Sequence, residues 1–182
     1  MRSAFARSRA PGAFEAESII AVVPALEPGA RIPPLAFTDE RGGSYAAPSG
    51  ETLYAVFKTT CPTCALTWPF LDRIRAAAEG GGLSIVAVSQ DDPAEARAFA
   101  ERLGTRIPTA FDLEPWPASE RLGVESVPTL FRVGPDGTIA ETVVGFDRER
   151  MEGFAREAAE LAGRAPSPLW RPGESVPAVK PG

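Results

Sequence analysis

The two cysteines of the chain, Cys61 and Cys64, lie three residues apart where a strand pattern gives way to a helix pattern. The apolar run at 53–57, Leu-Tyr-Ala-Val-Phe, is typical of a strand buried on both faces of a sheet. Pro62 suits the first position of a helix because it has no N–H to leave unpaired, so Cys61 is predicted at the N-cap. A thiol at the positive end of a helix dipole ionises more readily, and the thiolate is the form that attacks a disulfide. The pattern therefore indicates thiol–disulfide exchange, with Cys64 placed to resolve a mixed disulfide on Cys61.

Three other roles for the cysteine pair have to be weighed. A zinc site needs about four ligands, and the chain has no histidine and no further cysteine, so we expect neither a metal nor another cofactor. A structural disulfide that closes so short a loop would stabilise the fold little. Inert buried thiols would rarely lie together at a strand-to-helix turn. A C-x-x-C motif beside a β-α-β pattern is a redox signal, which favours redox chemistry.

Composition limits the classes of protein to which the chain can belong. Its 182 residues, 44% of them hydrophobic, are enough for one domain with extensions and a full core. The net charge of −5 argues against a nucleic-acid partner or an anionic membrane surface. The longest apolar stretch is far shorter than the roughly twenty residues of a membrane helix, so no membrane span is expected.

The beginning of the chain is a poor secretory signal. Three arginines within residues 1–9 resemble a basic n-region, but the apolar stretch at 19–26 is short and contains Pro24. We therefore predict a cytoplasmic location, with the bacterial periplasm or another extracytoplasmic location as the alternative.

Hydrophobic periodicity predicts one α/β domain at 28–163, between an N-terminal arm (1–27) and a proline-rich tail (164–182). Predicted strands lie at 53–57, 83–88, 109–112, 129–133 and 138–144, and predicted helices at 62–78, 93–103, 117–122 and 147–162. A short strand at 19–23 and a small hairpin, 35–38 with 45–47, precede them. This order is typical of a mixed sheet with helices on both faces, in which ligands bind beyond the carboxyl ends of the parallel strands. Cys61 follows the first buried strand at that end.

The pattern also predicts the behaviour of single residues within these elements. Pro69 should bend the first helix because it removes a backbone hydrogen bond. The last helix should bury Met151, Phe154, Ala158 and Leu161. In the tail, Leu169 and Trp170 either fasten the segment to the domain or belong to a plain linker.

Several short motifs accompany the cysteine pair. They are Pro28-Gly29, Asp39-Glu40-Arg41-Gly42, Pro69 eight residues after Cys61, Val127-Pro128-Thr129 and Gly134-Pro135-Asp136-Gly137. With them the chain resembles the redoxin branch of the thioredoxin superfamily, which includes TlpA/ResA-like thiol–disulfide oxidoreductases and AhpC/TSA-like proteins. The resemblance covers about residues 28–163. It implies a thioredoxin-like fold with an N-terminal β-hairpin extension.

The resemblance also implies a binding surface around the cysteines. It makes Val127–Pro128 a cis peptide lying against the pair, where the backbone of Val127 binds an extended substrate. The alternative is a trans proline that starts an edge strand. Thr60, Pro62 and Thr63 are the other residues expected to bind the partner.

Three further positions bear on the chemistry. The buried aspartate that lies six residues before the first cysteine in thioredoxin is replaced by Ala55, so the proton acceptor for Cys64 is unassigned. Lys58 either favours the Cys61 thiolate or is a solvated lysine at a strand end. Trp116, between two prolines, either forms a docking lip beside the cysteines or packs in a loop.

We therefore predict a thiol–disulfide oxidoreductase whose partners are protein thiols and disulfides, including an upstream reductase. The first alternative is a thiol peroxidase with Cys61 peroxidatic and Cys64 resolving. Peroxiredoxins have a threonine three residues before the peroxidatic cysteine, and Lys58 is found there. The second alternative is a redox-silent domain that keeps the fold and binds a protein. The copper-chaperone pattern, C-x-x-x-C with a histidine, is not matched.

Overall fold

The structure is a computed structural model that describes residues 24–182 of the chain. Its strands are β1 (Glu51–Phe57), β2 (Leu83–Ser89), β3 (Thr109–Phe111), β4 (Thr129–Val133), β5 (Ile139–Val144), β6 (Phe146–Asp147) and β7 (Val179–Lys180). Its helices are α1 (Pro62–Ala77), α2 (Pro93–Leu103), α3 (Pro117–Leu122) and α4 (Arg148–Leu161). Every strand and helix predicted from residue 53 to residue 162 is present, whereas the short strands β6 and β7 were not predicted.

Five strands form one mixed sheet in the order β3-β2-β1-β4-β5. β1, β2 and β3 pair in parallel, while β4 pairs antiparallel with β1 and β5 antiparallel with β4. β6 and β7 form a separate antiparallel pair. β1 lies at the centre of the sheet, so the cysteines that follow it lie beyond the carboxyl end of the central strand.

Both faces of the sheet are covered, as the α/β pattern predicts. One face packs against α1, α2 and α4 through a core that includes Leu53, Phe57, Trp68, Phe99 and Phe154. The other face packs against α3 and the segment 25–45, in a second core that includes Phe37, Val56, Leu122 and Phe131. Residues 52–57 of β1 are all buried because their side chains alternate between these two cores. No helix in the described part of the chain is long and apolar enough to span a membrane.

Local chemistry sets the ends of the helices. The Asp92 side chain accepts hydrogen bonds from the N–H groups of Ala94 and Glu95 and so caps α2. Gly104 and Gly123, which end α2 and α3, adopt left-handed conformations that a side chain would disfavour, with φ of 65° and 66°. α1 runs through Pro69 as a single helix.

Three details differ from the sequence predictions or lie outside them. The predicted hairpin is only a single bridge between Thr38 and Ser44, and Thr38 also bridges to Phe111 on β3. Leu161, predicted to be buried, is 46% exposed because it lies at the last turn of α4, where the helix leaves the core. The predicted strand at 19–23 lies outside the described residues.

Candidate active site

Cys61 lies at the N-cap of α1, in the four-residue interval between the end of β1 and the first helical residue, Pro62. Its backbone is extended, with φ −81° and ψ 118°, and its sulfur accepts a hydrogen bond from the N–H of Cys64 at 3.1 Å. The sulfur thereby pairs one of the N–H groups that have no partner within the helix. The predicted N-cap position of Cys61 is therefore confirmed.

Cys64 lies one turn further along α1 and is completely buried in the core. Burial, followed by the hydrogen bond and charge of neighbouring Cys61, raises the pKa of the Cys64 thiol well above its ordinary value. Both cysteines are free thiols, and Cys61 is partly exposed. The two sulfurs are thus unequal, one accessible to a partner and the other protected behind it.

The Val127–Pro128 loop brings the other predicted element of the site to Cys61. The peptide bond between these residues is cis, and Pro128 is buried. The Cys61 thiol donates a hydrogen bond to the carbonyl oxygen of Val127 at 3.1 Å, across 66 residues of sequence. The loop precedes β4, which pairs with β1, so the sheet itself places Val127 beside the N-terminus of α1.

The remaining predicted binding residues occupy different environments. Thr60 and Pro62 are exposed beside Cys61. Thr63 is buried, and its hydroxyl donates a hydrogen bond to the carbonyl oxygen of Pro181 at 2.6 Å. Thr63 is therefore engaged by the C-terminal segment.

Lys58 and Trp116 contact each other at the edge of the site. The Lys58 ammonium lies over the Trp116 ring, 4.2 Å from its centroid. The indole N–H donates to the carbonyl oxygen of Gln90 at 3.0 Å, and the Thr59 N–H donates to the Asp91 carboxylate at 2.5 Å. These contacts tie the turn before Cys61 to the loop after β2, and they favour the interpretation of Trp116 as a packed loop aromatic.

Within residues 24–182, no carboxylate takes the place of the aspartate that thioredoxin carries before its cysteines. Ala55 is completely buried in β1. Among the residues that the structure describes, the one buried carboxylate is Asp112. It accepts hydrogen bonds from the N–H groups of Ala118 and Ser119 at the start of α3. The proton acceptor for Cys64 thus stays unassigned.

Sequence reasoning missed the contribution of the C-terminal segment to the site. Lys180 pairs with Phe146, and Gly182 lies against the Val127 carbonyl. The proline-rich composition of this segment signals irregular structure but carries no signal for where it lies. The sequence offered Leu169 and Trp170 either as anchors of the tail or as part of a plain linker, and the structure buries Leu169 and places the Trp170 ring against Phe70.

Comparison with known proteins gives a family match and a set of similar folds. The sequence model of the AhpC/TSA family matches residues 29–142. No curated protein sequence matches the chain significantly.

Three solved structures illustrate the structural similarity. A protein from Chlorobium tepidum, described as a thiol:disulfide interchange protein DsbE, superposes with a TM-score of 0.66 at 21% identity over 76% of this chain and 100% of that one. The thioredoxin domain of a thiol-disulfide oxidoreductase from Bacteroides vulgatus gives 0.62 at 20% identity, over 72% and 99%. A secreted disulfide oxidoreductase of Mycobacterium tuberculosis, homologous to E. coli DsbE, gives 0.55 at 16%, over 66% and 93%. The predicted thioredoxin-like fold is confirmed.

Proposed function

The chain belongs to the AhpC/TSA family, and on that basis we propose that it is a thiol–disulfide oxidoreductase acting on protein partners through Cys61 and Cys64. One observation carries the proposal. A partly exposed sulfur at a helix N-cap accepts a hydrogen bond from the Cys64 N–H at 3.1 Å, while a backbone acceptor, the Val127 carbonyl, lies 3.1 Å from the same sulfur. This arrangement makes the sulfur accessible to a partner and offers backbone atoms beside it to an extended chain.

In the reducing direction the exchange takes two displacement steps. The Cys61 thiolate attacks one sulfur of a partner disulfide, the partner S–S bond breaks, and the second partner sulfur leaves as a thiolate. The Cys64 thiolate then attacks Cys61 Sγ, which forms the Cys61–Cys64 disulfide and releases the first partner sulfur as a thiolate. Two electrons pass to the partner, and its thiolates take up the protons that the cysteine pair gives up. An upstream dithiol reductase restores the pair, and the oxidising direction is the reverse.

The surroundings of Cys61 favour a protein partner over a small molecule. Thr60 and Pro62 form an exposed rim. A cavity of about 510 Å³ lies between the segment 39–45 and α2, and its lining includes neither cysteine. An exposed rim with backbone acceptors suits a polypeptide that lies across the surface.

Trapping the mixed disulfide tests this function. Cys64→Ser removes the resolving sulfur, so a partner bound to Cys61 should stay attached and be visible as a covalent adduct on non-reducing gels and by mass spectrometry. Cys61→Ser is the matched control and should form no adduct. If Cys64→Ser forms no mixed disulfide with a protein disulfide such as insulin, the proposal is wrong.

Thiol peroxidase activity is a second candidate, favoured by the AhpC/TSA match itself. In this reaction the Cys61 thiolate attacks one peroxide oxygen, the O–O bond breaks, and the other oxygen leaves as hydroxide, which takes up a proton to become water. The resulting Cys61 sulfenic acid then condenses with the Cys64 thiol to a disulfide and a second water. Stopped-flow oxidation of the reduced chain by hydrogen peroxide tests it. A rate no faster than that of a free thiol excludes this candidate, and Lys58 at the family's threonine position favours that outcome.

The location of the protein in the cell is also part of the proposal. The Mycobacterium tuberculosis neighbour is described as secreted, which supports the extracytoplasmic alternative to the predicted cytoplasmic location. Fractionation of cells that express the full-length gene, with detection of the protein in each fraction, distinguishes the two.

A further inference from the structure

The C-terminal segment, residues 164–182, crosses the helical face of the domain and reaches Thr63 and Val127, next to Cys61; we call it the strap. Its first half is anchored in the core. Leu169 is 5% exposed, and the Trp170 ring lies 4.7 Å from the ring of Phe70 on α1 and 6.2 Å from that of Phe146. Val176 packs against the same core.

An ion pair between α1 and the strap reinforces this anchor. Both terminal nitrogens of Arg73 bind the carboxylate of Glu174, at 2.7 and 2.5 Å, and Arg73 also donates to the carbonyl oxygen of Leu169 at 3.0 Å. Two-pronged guanidinium–carboxylate pairs are geometrically specific. The base of the strap, residues 164–176, is therefore fastened to α1 in a defined register.

The strap tip, residues 179–182, is held almost entirely through its backbone. Val179 and Lys180 pair with β6, and the Thr63 hydroxyl donates to the Pro181 carbonyl at 2.6 Å. Val179 is 62% exposed, and Pro181 and Gly182 are exposed as well. In contrast to the base, the tip buries no large side chain, so it can leave the surface while the base stays in place.

Gly182 packs against the carbonyl oxygen of Val127, the same oxygen that the Cys61 thiol contacts. A Cβ atom added to Gly182 would lie 2.5 Å from the carbonyl oxygen of Val127 and 2.9 Å from its carbon, closer than atoms can pack. The Cys61 thiol contacts that same oxygen at 3.1 Å. The tip thus covers the backbone surface beside the nucleophilic sulfur in an extended conformation.

We propose that the strap tip is an internal occupant of the partner-binding surface and must lift before a protein disulfide reaches Cys61. The inference rests on the proposed function. Two extended chains cannot lie on the Val127 carbonyl together, so the tip and a partner exclude each other. The partner that fits is a flexible, extended segment that carries the disulfide. One of its backbone carbonyls would accept a hydrogen bond from the Thr63 hydroxyl, as Pro181 does in the strap, and a small residue would lie over Val127.

Removal of residues 177–182 tests the inference, because it deletes the tip and keeps the anchored base. Reduced full-length and truncated chains are mixed with insulin, a protein disulfide, and with 5,5′-dithiobis(2-nitrobenzoate), a small disulfide that reaches Cys61 without the Val127 surface. We expect the truncated chain to reduce insulin about five-fold faster or more. If the tip occupies the surface most of the time, only the small fraction of molecules with the tip lifted can bind insulin, and the apparent affinity for insulin is reduced by that fraction. The rate with the small disulfide should change less than about two-fold on the same reasoning.

Gly182→Ala gives a test that leaves the chain full length. Its methyl group would press on the Val127 backbone and displace the tip, so the insulin rate should rise in the same direction, by less than in the truncation. Gly50→Ala is the matched control, because a Cβ at Gly50 meets nothing within 4 Å. It should leave both rates unchanged.

The outcomes separate the inference from the proposed function. If insulin is reduced but the truncated chain is no faster than the full-length one, or is slower, the tip is not an internal competitor and the inference is wrong. If the truncated chain is slower, the tip contributes to partner binding instead of competing with the partner. If neither chain reduces insulin or forms a mixed disulfide while both react with the small disulfide, the proposed function is wrong and the inference is overturned with it.

Discussion

The helix side of the site, β1 with α1, carries Cys61, and the strap ends beside it against Thr63 and Val127, but the two are held to the domain in different ways. Trp68 of α1 is 2% exposed and lies 4.2 Å from the Phe57 ring and 5.7 Å from the Phe99 ring. Trp170 of the strap is only partly buried, and its indole N–H is bonded to the carboxylate of Glu152.

The difference shows that Cys61 has a rigid support on the helix side, whereas the Val127 surface beside it is covered by a segment with fewer contacts. The helix side is part of the close-packed core, where a change in side-chain volume lowers the stability of the fold. The strap is fastened by a few side chains along one edge, and segments of this kind open at a lower free-energy cost than core elements. This contrast can be tested first between the two sulfurs, then between one tryptophan of each region, and last at the ion pair that anchors the strap.

The largest expected difference is between the two sulfurs. When the reduced protein is treated with iodoacetamide near neutral pH, Cys61 should be alkylated on the order of 10²-fold faster than Cys64. Cys61 is partly exposed at a helix N-terminus, whereas Cys64 is completely buried and its pKa is raised by burial. Peptide mapping by mass spectrometry over time measures both rates. In denaturant the two should react alike, and equal rates in the native protein would contradict the unequal environments.

The next largest effect concerns the two tryptophans. Trp68→Ala should lower the free energy of unfolding by about 3–5 kcal/mol, as expected for a large aromatic removed from a packed core. Trp170→Ala should cost about 1–2 kcal/mol, because its ring is only partly removed from water. Denaturant titration at constant m-value measures both. If Trp170→Ala lowers the free energy of unfolding as much as Trp68→Ala does, the strap is as firmly packed as the core.

The smallest expected effect is the pH dependence of the strap anchor. The Arg73 guanidinium lowers the pKa of the Glu174 carboxyl from its ordinary 4.5 to about 2. A lowered pKa in the folded state means that the stabilisation is fully present above pH 4.5 and is lost as the pH falls toward about 2.

Comparison with Glu174→Gln measures this dependence. The stability difference between the native protein and the variant should be greatest above pH 5, shrink as the pH falls through 4 and 3, and be small because both partners are solvent-accessible. Denaturant titrations at each pH determine it. A difference that stays constant down to pH 3 would mean that the ion pair does not anchor the strap. Glu40→Gln, which removes the exposed Arg97–Glu40 pair far from the strap, is the matched control.

Much of the domain could be predicted because its signals are local. Pro62 and Asp92 mark helix starts, and Gly104 and Gly123 mark helix ends, through conformations that depend on only a few neighbouring residues. Leu161 shows the limit of such signals. Its position in the sequence places it on the buried face of α4, yet it is exposed because the last turn of the helix extends beyond the core.

The contacts around Cys61 needed more than local pattern. The approach of Val127 to Cys61 was expected only through the resemblance to redoxins, because no property of residues 126–129 points to a partner 66 positions away. The contact of Lys58 with Trp116 and the contact of the strap tip with Val127 were not predicted at all. Each joins segments distant in the chain.

By itself the sequence determined the α/β fold class, the strand-to-helix turn that carries both cysteines and the position of Cys61 at the helix N-cap. These follow from side-chain periodicity, proline and glycine conformations and unpaired N–H groups, all of which act over a few residues. Only the tertiary structure decided that Cys64 is sealed from solvent, that Val127 faces Cys61, and that residues 179–182 lie on the Val127 carbonyl. Those outcomes depend on how the sheet and helices pack, because burial and backbone approach are properties of segments that meet only in the folded chain.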